Sequence, residues 1–371
     1  MENKKVTIRQ MVLMLTTFRI NLVISYMPSL RVPPGNQDIW IMILLSFFYS
    51  ILLRIPLLYL ANKFSNISII KYLQKVWGKT LGKAIGFTYA LYFALYTTFI
   101  IILQAQLVGA DILPRTSNVI IMIILIIVSL YIGSKGLVLM CWLMELISPI
   151  VLSSILALVL LGLKNVDFRI LLPILSDSSL YDINIGALIF SFVITDIFVL
   201  VIGVPYLENE KDINKIYLRS SIYSLIINAI TVIVTQGALG IEQAKHANYP
   251  FLIYTRLISY ASFFERIDAV YVIVWISANI VRKSFYIYIL YTVFKEVLNL
   301  RDNKIILYTI GILVGIIALY IANTQVLVID SAIEAIVLYS SIIFITIIPL
   351  FTMIVYFFRK RTIEKEKIVQ N

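Results

Sequence analysis

Apolar stretches of about 20 residues recur along the whole sequence, and each is long enough to cross a hydrocarbon core of about 30 Å as a helix. A transmembrane β-barrel would instead show alternating segments of about ten residues, which this sequence lacks. Hydrophobic residues make up 61% of the chain and charged residues 14%, against about 45–50% and about 25% in soluble domains. The sequence therefore predicts an all-α integral membrane protein.

Glycine, proline and charged residues separate the apolar stretches and give ten predicted spans. The loops between these spans are too short to form an extramembrane domain. We expect one transmembrane domain over residues 1–371. The predicted spans are 9–30, 38–61, 84–108, 117–134, 137–163, 184–207, 216–240, 266–292, 304–323 and 332–358.

Lysines and arginines are distributed unevenly between the two sides of this ten-span arrangement. Twenty fall on the side of the termini and seven on the opposite side. Because basic residues are retained in cytoplasmic loops, both termini are predicted to be cytoplasmic. The same rule accounts for the net charge of +11 without nucleic-acid binding.

The first and sixth spans carry charges within apolar sequence and end near a proline. Arg19 precedes Pro28 by nine residues and Asp196 precedes Pro205 by nine residues, which is about 13 Å along a helix in each case. The two spans run in opposite directions, so both charges are expected at similar depth. Many transporters have two inverted repeats whose first helices are broken at mid-membrane, where backbone groups hold substrate.

Charges at mid-membrane are costly unless they pair, face water or meet a ligand. One interpretation is a plain Arg19–Asp196 ion pair that fixes helix packing. The other is a site for a zwitterionic nutrient, with Arg19 facing the carboxylate and Asp196 the ammonium. In that hypothesis neutral hydrogen bonds come from Asn21, Ser25, Ser191 and Thr195.

Further polar residues lie within or beside the spans. Glu145, before Pro149, is either a packing carboxyl or a gating or proton-coupling residue. Arg54, Arg282 and Lys283 are expected to extend toward the headgroups.

Two clusters have a predicted structural role. Tyr89, Tyr92 and Tyr96 recur at helical spacing, either as packing residues or an interfacial aromatic belt, or as a cavity lining. Glu265, Arg266 and Asp268 lie at the start of the eighth span, where we expect them to anchor an outer loop over the cavity.

Enzymatic signatures are missing from the sequence. There is no phosphate-binding glycine loop, no zinc-spaced histidine or cysteine set and no nucleophile elbow. We therefore expect neither an enzyme nor a bound cofactor or metal.

Short motifs spread over the whole length resemble one family, the B subunits of the nutrient-germinant receptors of endospore-forming bacteria. This family is a branch of the amino acid–polyamine–organocation transporter superfamily. One departure is Asn21-Leu22-Val23, where relatives carry a Gly-Thr-Gly-type break. The motifs are Gln10, Pro28-Ser29-Leu30, Gly35-Asn36-Gln37-Asp38-Ile39-Trp40, Glu145 with Pro149, Pro205-Tyr206-Leu207, Tyr249-Pro250-Phe251, and Phe264-Glu265-Arg266-Ile267-Asp268 with Trp275.

This resemblance implies a fold and a function. The fold is a 5+5 inverted repeat of the leucine-transporter type with broken first and sixth helices, the repeats covering about 9–163 and 184–358. The ligand site lies between spans one, three, six and eight. The function is sensing of an amino acid or similar nutrient in the spore inner membrane, together with A and C subunits, to trigger germination. An amino-acid or cation symporter is the alternative, because both need a site whose occupancy favours one conformation.

Overall fold

The computed structural model describes residues 5–193, 196–258, 268–323 and 327–369, and helices dominate these ranges. Fifteen α-helices and seven short 3-10 or π turns lie in these ranges. The helices are α1 Ile8–Tyr26, α2 Ile39–Lys63, α3 Ile69–Trp77, α4 Lys79–Leu107, α5 Asn118–Gly133, α6 Leu137–Gly162, α7 Leu180–Val193, α8 Ile197–Gly203, α9 Ile213–Leu239, α10 Ile241–His246, α11 Pro250–Arg256, α12 Asp268–Val297, α13 Lys304–Asn323, α14 Leu327–Ile342 and α15 Ile348–Val369.

Helices lie along all ten of the predicted spans, and most of these helices have the length and composition to cross a membrane. Among the described residues, eight helical segments are long and apolar enough to cross a membrane, and the bent pair of α7 and α8 makes a ninth. The tenth, α5, has 16 residues and is the shortest unbroken one. The last span combines α14 and α15, which a π turn over Ile343–Ile347 connects. The prediction of an all-α membrane fold is confirmed.

The first span begins with a well-defined cap. Thr7 Oγ1 accepts a hydrogen bond from the Gln10 amide at 3.2 Å, and Gln10 Oε1 accepts one from the Thr7 amide at 3.0 Å. This reciprocal arrangement satisfies donors that the first helical turn would otherwise leave free. The preceding residue, Val6, donates to the Tyr206 carbonyl at 2.8 Å, and Glu208 donates to the Val6 carbonyl at 3.1 Å. The start of α1 is thereby attached to the segment that follows α8.

The interruption of the first span lies further along the chain than the resemblance implies. Helix α1 is continuous from Ile8 to Tyr26, and it ends where Met27 adopts a left-handed conformation with φ of 38°. A 3-10 turn over Pro28–Arg31 follows. Asn21-Leu22-Val23 contains no glycine to favour a break, whereas Pro28 disfavours helical geometry at Met27. The end of α1 is therefore determined by the proline.

The ninth span packs inside the bundle through its two spaced glycines. A Cβ at Gly311 would lie 2.3 Å from Leu130 Cδ2, and a Cβ at Gly315 would lie 2.8 Å from Ile126 Cδ1. Both contacts are with α5. This small-residue pair is therefore an internal helix contact of the kind that small residues permit in membranes.

Candidate functional site

The sixth span is broken in the middle, as predicted. Helix α7 ends at Val193, α8 begins at Ile197, and the two are bent by 40°. A helix end inside a membrane leaves carbonyl groups without partners, which is costly unless other groups bind them. Here Arg54 Nη2 donates to the Ser191 carbonyl at 2.7 Å, and its Nη1 donates to the Ser50 carbonyl at 3.0 Å. Arg54 thus places a positive charge at the C-terminal end of α7, where the helix dipole favours it.

Asp196, directly before α8, forms a buried ion pair with the eighth span. Arg282 Nε and Nη2 lie 3.2 and 3.1 Å from Asp196 Oδ1, and Nη2 lies 3.2 Å from Oδ2. Tyr286 donates to the same carboxylate at 3.0 Å. Arg282 Nη2 also donates to the Tyr96 hydroxyl on α4 at 2.7 Å. One polar network therefore links the break to α4 and α12.

The expected extension of three basic residues toward the headgroups is wrong. Arg54 and Lys283 are 1% exposed, and Arg282 is 2% exposed. Arg282 is the fifteenth of the 30 residues of α12, so its guanidinium lies too far from either helix end to reach the headgroups. The arginines satisfy their charge and donors inside the protein instead, Arg54 at the end of α7 and Arg282 on Asp196.

The expected direct pair of Arg19 with Asp196 is also wrong. Arg19 Nη1 donates to the Ser220 hydroxyl at 3.1 Å and to the Ser221 hydroxyl at 2.7 Å. Its guanidinium lies 5.0 Å from the centre of the Tyr217 ring, within the range of a cation–π contact. The reason is that Arg19 projects toward α9, whereas Asp196 is already bound by α12.

Two other predicted ligand residues on α1 bond within the protein. The Asn21 carbonyl accepts hydrogen bonds from the Ser25 hydroxyl at 2.6 Å and from Trp275 Nε1 at 3.3 Å. The Asn21 side-chain amide nitrogen is buried and has no partner among the described residues. Ser191 donates to the Leu188 carbonyl at 2.7 Å within α7. The bond from Trp275 holds α1 against α12. The hydroxyl groups of Ser25 and Ser191 each donate to a carbonyl of their own helix.

Glu145 lies close to the start of α1 and not at mid-membrane. Gln10 Nε2 donates to Glu145 Oε2 at 2.7 Å, and Arg9 Nε lies 3.7 Å from Oε1. The carboxylate is 35% exposed. Glu145 therefore connects α6 to the capped end of α1, a position where relative movement of these two helices would break its bonds.

Several predicted residues cannot be placed. Thr195, Glu265 and Arg266 lie outside the described residues. Asp268 is the first residue of α12, and its side chain is not described.

A large cavity of about 310 Å³ lies beside the broken span. Its walls come from the first, third, sixth and tenth spans, and they are mainly apolar and aromatic. The eighth span contributes indirectly, because Tyr96 both lines the cavity and binds Arg282. The wall residues are Tyr26, Arg31, Val32, Tyr96, Phe99, Leu103, Ile189, Phe192, Val193, Ala335, Val337, Leu338 and Ser341.

The three spaced tyrosines of α4 serve both of the predicted roles. Tyr89 donates to the Phe344 carbonyl at 2.9 Å, and Tyr92 lies 3.4 Å from the Ser341 hydroxyl. These two attach α4 to the last span, whereas Tyr96 faces the cavity. Sequence reasoning missed the wall from α14. The helical spacing of the tyrosines was the sequence feature that pointed to Tyr96 as a cavity residue. The central position of Arg282 in a long helix was the feature that pointed to a buried ion pair.

Comparison with known proteins identifies the family. A family model described as "Spore germination protein" matches residues 5–326. The chain belongs to this family. Three relatives from Bacillus subtilis (strain 168) agree with that assignment: spore germination protein KB, 24% identical over 99% of this chain and 98% of its own length; spore germination protein B2, 25% identical over 73% and 74%; and spore germination protein YndE, 24% identical over 65% and 66%.

The spore germination family member described here has a transporter-type fold. It is similar to Mhp1, a nucleobase-cation-symport-1 family transporter solved in a closed conformation with bromovinylhydantoin bound. The TM-score is 0.58 at 12% identity, over 91% of this chain and 76% of Mhp1. The chain is therefore an integral membrane protein of a germination family, built on a fold of the leucine-transporter type.

Proposed function

We propose that this chain is the ligand-sensing B subunit of a spore germinant receptor, which binds an amino acid or similar small nutrient and thereby triggers germination. The observation that carries the proposal is the cavity of about 310 Å³ directly beside the break in the sixth span. Ligand cavities for small molecules are typically about 300–1,000 Å³ and largely apolar, with a few polar groups that orient the ligand. This cavity matches that description.

The cavity wall indicates the chemistry of the ligand. Phe99, Phe192 and Val337 offer an apolar surface, and Ser341 and Tyr96 add hydroxyl groups. Arg31, an exposed residue of the wall, supplies a positive charge that suits a carboxylate. A small amino acid with an apolar side chain satisfies all three features. We revise the proposed contact set accordingly, because Arg19 lines a separate cleft.

The polar network beneath the cavity provides a route from binding to response. A ligand that contacts Tyr96 lies beside the hydroxyl group to which Arg282 donates. Arg282 also forms the ion pair with Asp196 at the break. A ligand shifts a conformational equilibrium only by binding one state better than the other. In a closed state, α7 and α14 would surround the ligand, and this network would transmit their movement to α12. The closed state would then bind the ligand better than the open state.

The setting of the proposed receptor follows from the family resemblance. The chain would assemble with A and C subunits in the spore inner membrane, with both termini cytoplasmic. The transporter-type fold supports one alternative, a secondary active symporter of amino acids or cations. The two functions differ in whether a bound nutrient is released on the other side of the membrane.

A cavity-filling substitution tests the proposal. Val337 is 8% exposed and lines the cavity, whereas its neighbour Ile336 is 51% exposed and faces away from the bundle. Spores carrying Val337→Trp should need at least tenfold more nutrient for a half-maximal germination response, since about 1.4 kcal/mol of binding free energy corresponds to tenfold. The response is measured against a panel of amino acids, nucleosides and sugars.

Ile336→Trp is the matched control, because it adds the same indole on the membrane side of the same helix. It should leave the response to the activating nutrient unchanged. Protein abundance is measured by immunoblot for both variants. An unchanged nutrient response in Val337→Trp spores of normal abundance would contradict the proposal.

A further inference from the structure

A second, smaller space lies away from the cavity, between α1, α2, α7 and α9. This cleft, which we call the Arg19 cleft, has a volume of about 20 Å³, and it shares no wall residue with the large cavity. Its wall combines one arginine with hydroxyl and amide groups. The wall residues are Arg19, Ile43, Ser46, Phe47, Ser50, Phe190, Tyr217, Ser221, Ser224, Leu225 and Asn228.

No carboxylate in the part of the chain that the structure describes forms an ion pair with Arg19. No acidic oxygen lies within 4.0 Å of its guanidinium, and its two hydrogen bonds go to the neutral hydroxyls of Ser220 and Ser221. Arginine has five N–H donors, and here Nε is buried without a partner. A buried arginine in a membrane costs at least about 2.5 kcal/mol unless something offsets its charge.

Neutral polar groups of the same wall are also incompletely bonded. Ser221 accepts the bond from Arg19, and its own proton is donated to no described group. Asn228 is 2% exposed, and its side-chain oxygen has no partner among the described residues. Ser46, Ser50 and Ser224 donate only to carbonyls of their own helices, so their hydroxyls can rotate toward a ligand. The wall therefore offers one full positive charge and several hydroxyl and amide donors.

We infer that the Arg19 cleft binds a small monovalent anion of halide size. One negative charge balances the single charge of Arg19, whereas a dianion would leave a net charge buried in the membrane at additional cost. The free Nε–H and the hydroxyl of Ser221 are donors that such an anion requires. The bound anion would hold α1 against α9. This inference is independent of the proposed function, because the two spaces share no residue.

Chloride dependence of thermal stability tests the inference. The purified chain, in a neutral detergent without added lipid, is melted in sodium chloride, sodium bromide or sodium gluconate at equal ionic strength. Chloride and bromide should raise the melting temperature in a saturable way, because a ligand at ten times its Kd multiplies the folded-to-unfolded ratio by about elevenfold. Gluconate, which is too large for the site, should not.

Substitutions test whether chloride raises the melting temperature by binding in the Arg19 cleft. Arg19→Gln should abolish the difference between chloride and gluconate, whereas the control Arg219→Gln, at an exposed arginine of the same helix as Ser220, should retain it. Should Arg19→Gln fail to fold, Ser221→Asp serves instead. Because the Ser221 hydroxyl lies 2.7 Å from Arg19 Nη1, a carboxylate at this position would replace the anion, and the melting temperature should be independent of chloride.

Three results would overturn the inference. They are equal melting temperatures of the unmodified chain in chloride and gluconate, full chloride dependence in Arg19→Gln, and full chloride dependence in Ser221→Asp.

Discussion

At the scale of single residues, the interior of the part of the protein that the structure describes contains more positive than negative side chains. Arg19, Arg54, Arg282 and Lys283 are each 1–2% exposed. Asp196 is the carboxylate that the described spans place against one of them. The three arginines have different partners. Arg282 forms the ion pair, and Arg54 donates to the Ser191 carbonyl of α7 and the Ser50 carbonyl of α2. Arg19 meets only serine hydroxyls and an aromatic ring among the described residues.

The Asp196–Arg282 pair makes a residue-scale prediction. Breaking a buried pair by removing one partner costs about 3–5 kcal/mol, because the remaining charge is left uncompensated. Asp196→Leu and Arg282→Leu should therefore each reduce abundance in the membrane, and the double variant should recover much of it. Immunoblots of membrane fractions give the abundance.

Two control experiments accompany this comparison of the single and double variants. Asp302→Leu removes the acid of an ion pair whose carboxylate is 80% exposed, and it should change abundance little because exposed pairs contribute little. Arg19→Leu combined with Asp196→Leu should show additive losses, since these residues have separate partners. Additive losses for Asp196→Leu and Arg282→Leu would show that their contact is not formed.

Residue-level sequence analysis found the unusual side chains more readily than their partners. Charge within an apolar stretch was enough to single out Arg19 and Asp196. Which neighbour each one meets depends on how helices rotate about their axes, and that rotation is set by contacts from all sides of the bundle. The burial of Arg282 could have been predicted, because α12 extends to Val297 and Arg282 lies at its midpoint.

At the scale of elements, the two interrupted spans differ in where they break. The sixth is broken beside Asp196 as predicted, whereas α1 continues to Met27. The positions of the membrane helices followed from the apolar runs and from the glycine, proline and charged residues that separate them. The wall that α14 gives the cavity did not follow, because Val337 and Ser341 carry no sequence signal that distinguishes a cavity wall from ordinary packing.

One glycine holds α7 beside the segment that follows α1. A Cβ at Gly186 would lie 1.6 Å from the Pro33 carbonyl oxygen, a backbone atom. Gly186→Ala should therefore separate the two elements, at a cost of about 1–3 kcal/mol for overpacking, despite the higher helix propensity of alanine. A lower melting temperature of the purified variant is the expected result.

Gly86→Ala is the matched control for this substitution. A Cβ there would lie 3.0 Å from Val297 Cγ2 and 3.1 Å from Ile70 Cδ1, which are ends of side chains that can move. It should be tolerated better than Gly186→Ala. If Gly186→Ala were as stable as Gly86→Ala, the close approach of α7 to Pro33 would be refuted.

At the scale of the whole molecule, a transporter-type fold is combined with membership of a germination family. The fold brings four spans around one cavity and places a buried ion pair beneath it. A receptor uses that arrangement to convert occupancy into a conformational change, and a symporter uses it to move the ligand across. The central claim of our account is the first of these.

Binding and uptake measured on the same proteoliposomes test that claim most directly. A radiolabelled amino acid that triggers germination is added to the reconstituted chain, with and without sodium and proton gradients. We predict saturable binding that Val337→Trp weakens at least tenfold and Ile336→Trp leaves unchanged, with no accumulation inside the vesicles. Accumulation driven by either gradient, or binding that is equal in Val337→Trp and the unmodified chain, would contradict the account.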